Sequence, residues 1–163
     1  MKKFVRLIFT LMIAYPLIGI AVSSCAGESD CSTAGRAMLN GYIYKKAESG
    51  TTSVKDTLDS LTITAFYTDS VIINNVKNVH YLSVPLRYTS DTTILVLHYS
   101  QQTRDTVTLR HTNTPNFISM DCGYEMKQAL YDCKYTKNRL DSILIKNAST
   151  NTDGTTNFEL LFR

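Results

Sequence analysis

Seventeen basic against fourteen acidic side chains give this 163-residue chain a formal charge of +3, but Lys2, Lys3 and Arg6 all fall in an apolar leader, and without them the charges balance. No basic cluster is then left to neutralise phosphates, so nucleic acid is not an expected partner. Frequent Thr, ten Tyr, seven Gly, three Pro and no Trp favour strands over helices, and the 139 residues left of 163 once the first 24 are removed suit one domain with an ordinary core.

The leader has three parts. Met1, Lys2 and Lys3 form a basic head, Phe4 to Val22 is almost wholly apolar, and Val22-Ser23-Ser24 sets small residues ahead of Cys25. That order describes a secretory signal. A cysteine directly after the cleavage point resembles the lipobox of bacterial lipoproteins, where the acylated thiol becomes the new N-terminus. A membrane anchor competes, because Phe4–Val22 is long enough to span a bilayer. Pro16 and the Ser-Ser-Cys ending favour the signal. The expected organisation is a lipoprotein signal peptide at 1–24, forming an N-terminal signal helix, a lipidated tether at 25–35 and a single domain at 36–163. Glu28 and Asp30 in the tether resemble an acidic surface-export tag; a solvated linker explains them equally well.

Strand signals follow in series. Met38 to Lys45 carries Tyr42 and Tyr44, and Ser49-Gly50-Thr51 reads as loop. Leu61, Ile63, Ala65 and Tyr67 alternate with Thr62, Thr64 and Phe66. Val71 to Ile73 is short. Leu82, Val84, Leu86 and Tyr88 hold one parity, and Pro85 assigns that strand to an edge or a bulge. Ile94-Leu95-Val96-Leu97 is apolar on both faces, which predicts a central strand. Val107 and Leu109 alternate with Thr106, Thr108 and Arg110. Ile118, Met120, Cys122 and Tyr124 again share a parity. From Glu125 to Tyr135 the pattern suits a strand bulged near Gln128, with a short helix as the alternative. Ile143-Leu144-Ile145 is the penultimate strand, Asn151-Thr152-Asp153-Gly154 a hairpin turn, and Phe158, Leu160 and Phe162 the last strand. The predicted fold is all-β: a single antiparallel β-sandwich, or partly open barrel, of about seven to nine strands.

One phrase recurs, an Asp followed by Ser or Thr and then an apolar residue or Thr. It stands at Asp56-Thr57-Leu58, Asp59-Ser60-Leu61, Asp69-Ser70-Val71, Asp91-Thr92-Thr93, Asp105-Thr106-Val107 and Asp141-Ser142-Ile143. Asp or Ser caps its own backbone in a turn and β-branched residues continue as strand, so the phrase reads as a corner. It also resembles the acceptor of the general O-glycosylation system of Bacteroidetes, which makes Thr57, Ser60, Ser70, Thr92, Thr106 and Ser142 candidate glycosylation sites, with Thr57 and Thr92 expected to be exposed.

Catalytic signatures are missing. No nucleophile elbow, phosphate loop, dinucleotide fingerprint or zinc-protease helix occurs. His80, His98 and His111 lie too far apart in sequence for a local metal pair; His98 reads as a hydrogen-bonded core residue and His111 as a solvated strand end. Asn151 to Gly154 lacks the acids of a calcium loop. Tyr42, Tyr44, Tyr124, Tyr131 and Tyr135 could form a sugar platform, although strand tyrosines more often pack at the rim of a core. Neither cofactor nor metal is expected. With Cys25 on lipid, Cys31, Cys122 and Cys133 remain, enough for one bridge and a leftover thiol.

Taken in order, Asp-Cys after the lipobox, Asp-Ser-Leu-Thr-Ile-Thr-Ala-Phe, Leu-Ser-Val-Pro-Leu-Arg-Tyr, Asp-Thr-Val, Asp121-Cys122-Gly123-Tyr124, Leu-Asp-Ser-Ile and a terminal Asn-Phe-Glu-Leu resemble small uncharacterised lipoproteins of the Bacteroidetes that carry a domain of unknown function. The resemblance runs from about Asp30 to Phe162. It implies an envelope lipoprotein with one β-rich domain, lipid-anchored to the outer membrane on its periplasmic or surface face, and supplies no activity. It also implies a Cys31–Cys122 bridge, with Cys133 an addition to the pattern. The expectation is a non-catalytic module for envelope binding or assembly, whose partner is an envelope protein or a glycan; a surface glycan-binding accessory lipoprotein is the alternative.

Overall fold

In the computed structural model, which describes residues 36–46 and 53–163, every regular element is a strand. Ten occur among the described residues: β1 Leu39–Lys46, β2 Ser53–Lys55, β3 Leu58–Ala65, β4 Val71–Val79, β5 Tyr81–Val84, β6 Thr92–His98, β7 Arg104–Ser119, β8 Gly123–Tyr135, β9 Leu140–Ile145 and β10 Phe158–Phe162. The predicted signal helix, the tether, Cys25 and Cys31 lie outside the described residues. By compactness the chain divides into Met1–Thr33 with Met120–Cys122, and Ala34–Ser119 with Gly123–Arg163. The second unit holds all ten strands.

Those strands form two sheets. One runs β2-β1-β10-β9, with β5 also paired to β1; the other runs β4-β3-β6-β7-β8. The all-β reading therefore holds. β6 stands in the middle of its sheet, as Ile94 to Leu97 required: Leu95, Val96 and Leu97 are all buried, so both faces are covered. Leu39, Ile43, Leu58, Leu61, Ile63, Val79, Leu82, Val84, Leu86, Tyr99, Val107, Leu109, Leu130, Leu140, Phe158, Leu160 and Phe162 share the core with Leu95 and Leu97.

Three details depart from the sequence reading. First, β1 and β10 pair in parallel, Gly41 opposite Phe158 and Ile43 opposite Leu160, so the first and last strands close one sheet in the same direction. Gly41 belongs there because a Cβ would collide with the Phe158 ring. Second, Ile118 and Tyr124 lie in different strands. The chain turns at Met120–Cys122, and β7 and β8 form a long hairpin in which Phe117 faces Tyr124. Pro115 is tolerated because β6 pairs with β7 only as far as Arg110, leaving no ladder on that side for the missing amide. Third, the bulge of β8 falls at Tyr131, where the register shifts between Arg110 and His111, and not at Gln128. The strand ending near Pro85 is short, β5 stopping at Val84.

Candidate functional site

The buried polar groups belong to the scaffold. Asp105 is fully buried and accepts four hydrogen bonds: from Thr136 Oγ1 at 2.7 Å, Asn138 N at 2.8 Å, Arg139 N at 2.9 Å and Leu140 N at 2.9 Å. This one carboxylate fixes the loop that carries β8 into β9. Burial alone would raise its pKa, but the Thr136 hydroxyl and the three amides together hold it below the ordinary carboxylate value. Tyr99 lies beside it, its phenol pushed well above the ordinary value by burial and by the charge on Asp105.

His111 is a correction to the sequence reading. It is fully buried, with Nε2 2.9 Å from Thr93 Oγ1 and Nδ1 3.1 Å from Asn113 Oδ1. Burial lowers its pKa, the contacts with Asn113 and Thr112 acting against that. Asn113 donates to Ser90 O at 2.6 Å, and Gln128 donates to Asn113 Oδ1 at 2.6 Å and to Arg87 O at 2.9 Å. A second buried set joins Asn40, Asn157 and Asn151, with Tyr81 Oη donating to Asn40 Oδ1 at 2.6 Å. Both sets tie loops to strands. Sequence reasoning missed them because most of the partners, Thr93 and Gln128 in the first set and Asn40 and Tyr81 in the second, come together from distant parts of the chain. His98 meets Thr64 Oγ1 at 3.1 Å and is half-buried; His80 is exposed. Among the described residues no three His, Cys, Asp or Glu side chains gather to hold a metal ion.

The Asp-Ser/Thr phrases divide. Asp56, Asp69 and Asp91 precede β3, β4 and β6, whereas Asp59, Asp105 and Asp141 sit inside strands. Thr57 and Ser70 are exposed; Ser60, Thr92, Thr106 and Ser142 are half-buried. Ser60 donates to Tyr99 O at 3.3 Å, and Thr92 Oγ1 to its neighbour Asp91 at 3.1 Å. Cys122 sits in the β7–β8 turn, and Cys133 carries a free thiol, half-buried on β8. Burial first, and the charge of Asp132 second, push that thiol up to about 11.

Among the described residues, one open groove lies between β8 and β9. Each is an outermost strand of its own sheet, and they are held together at two ends only. At one end is the Asp105-bound loop. At the other, Leu130 N donates to Ala148 O at 2.8 Å and Thr150 N to Gln128 O at 2.9 Å. Between these ends the strands part around a shallow groove of about 560 Å³, lined by Tyr131, Asp132, Cys133, Tyr135, Ile143, Leu144, Ile145 and Lys146. Tyr131 is 58% exposed, Leu144 43% and Ile145 41%. Ile143 reaches further in and also bounds an apolar void of about 20 Å³ between the sheets, room for about one water and no ligand. Of the five tyrosines considered for a sugar platform, only Tyr131 and Tyr135 meet here. Tyr42 packs at a tilt against Tyr81, and Tyr124 edge-on against Phe117.

Residues 60–162 match a family of unknown function, DUF6452. No curated protein and no solved structure matches the chain. The matched span includes Asp121-Cys122-Gly123-Tyr124 and every strand from the greater part of β3 to β10. The chain belongs to the DUF6452 family.

Proposed function

We propose that this DUF6452 member is an outer-membrane lipoprotein of the Bacteroidetes envelope whose β-domain binds or assembles and does not catalyse. Cys25 is its acylated N-terminus, left when residues 1–24 are removed, and a Cys31–Cys122 bridge ties the tether to the domain. A basic head, an apolar run and Ser23-Ser24-Cys25 support the first point. The free thiol on Cys133, which with Cys25 on lipid leaves Cys31 and Cys122 to pair, supports the second. Such a bridge, closing a long loop, contributes about 3–4 kcal/mol.

The observation that carries a binding role is the groove between β8 and β9, where two sheet edges expose apolar side chains. Asp105 and His111 are engaged by hydrogen bonds within the scaffold, Tyr99 is buried with its hydroxyl unpartnered, and none of the three lines the groove. One feature favours the alternative, a surface glycan-binding accessory lipoprotein: Tyr131 and Tyr135 flank the groove beside Asp132 and Lys146, an aromatic and polar mixture that suits a sugar ring.

Metabolic labelling with an alkyne fatty acid tests the anchor. The native chain incorporates label, and Cys25→Ala accumulates as an unlabelled precursor; equal labelling of both removes the lipoprotein reading. Pull-down from envelope extracts, with Leu144→Asp as the control that disables the groove, then separates a protein partner from a glycan, since only the first survives glycosidase treatment of the extract.

A further inference from the structure

The edge of β8 that borders the groove reads the same in either direction except that its two charges exchange places. Tyr131-Asp132-Cys133-Lys134-Tyr135 sets an aromatic residue at each end, opposite charges inside them and a cysteine in the centre. Thr136 N donates to Thr106 O at 3.0 Å, and in an antiparallel ladder the groups that face a given neighbour alternate. Lys134 and Asp132 therefore also turn their backbone groups toward β7, where they oppose Thr108 and Arg110. The amide and carbonyl of Cys133 and of Tyr135 point the other way. Among the described residues no strand pairs with that edge. A row of free backbone groups is a template for another strand.

Charge selects which strand. When two copies of β8 run antiparallel about a two-fold axis through Cys133, each Asp132 lies opposite the Lys134 of the other copy, so two ion pairs form at once. A parallel, in-register approach sets Asp132 against Asp132 and Lys134 against Lys134. The paired charges fall on the solvent face of the sheet, where Arg110 lies 4.0 Å from Asp132 and adds a further cation beside that carboxylate. On the opposite face, Cys133 and Tyr135 pack against the core. We infer that the open edge of β8 pairs with β8 of a second copy of this chain, antiparallel and about a two-fold axis through Cys133. The β4-β3-β6-β7-β8 sheets of the two copies then become one continuous sheet.

Two substitutions decide it, each in the full chain purified in detergent. Lys134 is exposed and Asp132 retains 39% of its side-chain exposure, so Lys134→Asp and Asp132→Lys leave the fold intact, which thermal melts verify. In each variant alone, like charges oppose each other twice, and the dimer dissociation constant read by sedimentation rises by about tenfold or more over wild type. Mixed, one variant brings only acids to positions 132 and 134 and the other only bases, so the heterodimer regains both ion pairs. Tagged Lys134→Asp then captures untagged Asp132→Lys, and neither captures itself. A wild-type chain that stays monomeric up to about 100 µM overturns the inference. So does a dimer indifferent to both substitutions, because it places the interface elsewhere.

Discussion

β4 and β8 are the two outer strands of the same sheet, and they treat that position in opposite ways. β4 is irregular along most of its length. Its register on β3 shifts twice, between Leu61 and Ile63 and again before Thr64, and Asn75 and Asn78 hold φ of 44° and 52°. Lys77 stands between them. Bulges, left-handed residues and a lysine are the devices by which an edge strand discourages a neighbour. The β7–β8 ladder also shifts twice, but one shift lies beside the turn, between Phe117 and Ser119, and after the bulge at Tyr131 the residues Asp132 to Tyr135 keep a regular edge whose charges complement themselves. The difference teaches that an unpaired edge is not by itself a docking surface. The same sheet carries one edge closed by backbone distortion and another left regular, and only the second sets an acid and a base on either side of a central residue.

The largest expected effect comes from removing what holds the β8–β9 frame. Asp105→Ala leaves the Thr136 hydroxyl and the amides of Asn138, Arg139 and Leu140 without their acceptor in a buried site, at a cost of roughly 3–5 kcal/mol in chemical denaturation. A loss under about 1 kcal/mol would mean that water replaces the carboxylate and that the loop is not held by it.

A smaller effect depends on pH. The pKa of His111 is lowered in the folded chain, so below about 6.5 the unfolded chain takes up a proton that the buried ring refuses. Stability therefore declines as pH falls from about 6.5 toward the depressed folded value. Asp105 acts later. Its pKa is also lowered, and its contribution, complete above about 4, is lost as pH falls through its folded value. Denaturation across this range shows two descending limbs. His111→Gln flattens the upper limb and Asp105→Asn the lower. One unbroken limb in all three proteins contradicts the assignment.

How much of this was legible follows the range of the interactions. The central position of β6 was readable because Ile94 to Leu97 needs cover on both faces, a local property. Asp105 was recognised as part of a turn phrase, but the turn it serves lies more than thirty residues away, between Thr136 and Leu140. His111 looked solvated because Arg110 and Thr112 flank it; Thr93 and Gln128, which enclose it with Asn113, come from other strands. The β7–β8 hairpin was misread because Ile118, Met120, Cys122 and Tyr124 keep one parity across a turn. Strand order decides which edges stay open, and no periodicity records it. The palindromic edge of β8 was in the sequence throughout, but its meaning depends on β8 lying outermost.

The smallest effect tests the guarded edge. Asn75 lies in the bulge of β4 opposite Thr62, whose Oγ1 accepts its amide at 3.0 Å, and its left-handed backbone suits Asn or Gly far better than other residues. Asn75→Ala keeps the Cβ crowded against the following carbonyl but loses the polar side chain that makes the left-handed backbone tolerable, and costs about 1 kcal/mol, while Asn75→Gly stays within about 0.5 kcal/mol of wild type. The comparison sharpens if the alanine variant is also examined for association. Straightening β4 would offer a second regular edge with Val71 and Val76 already exposed, so Asn75→Ala should form species larger than the dimer at high concentration. Those larger species should persist when Lys134→Asp is added, since they use the other side of the sheet. If Asn75→Ala and Asn75→Gly match in both stability and sedimentation, the bulge does not guard this edge, and the contrast between β4 and β8 rests on charge alone.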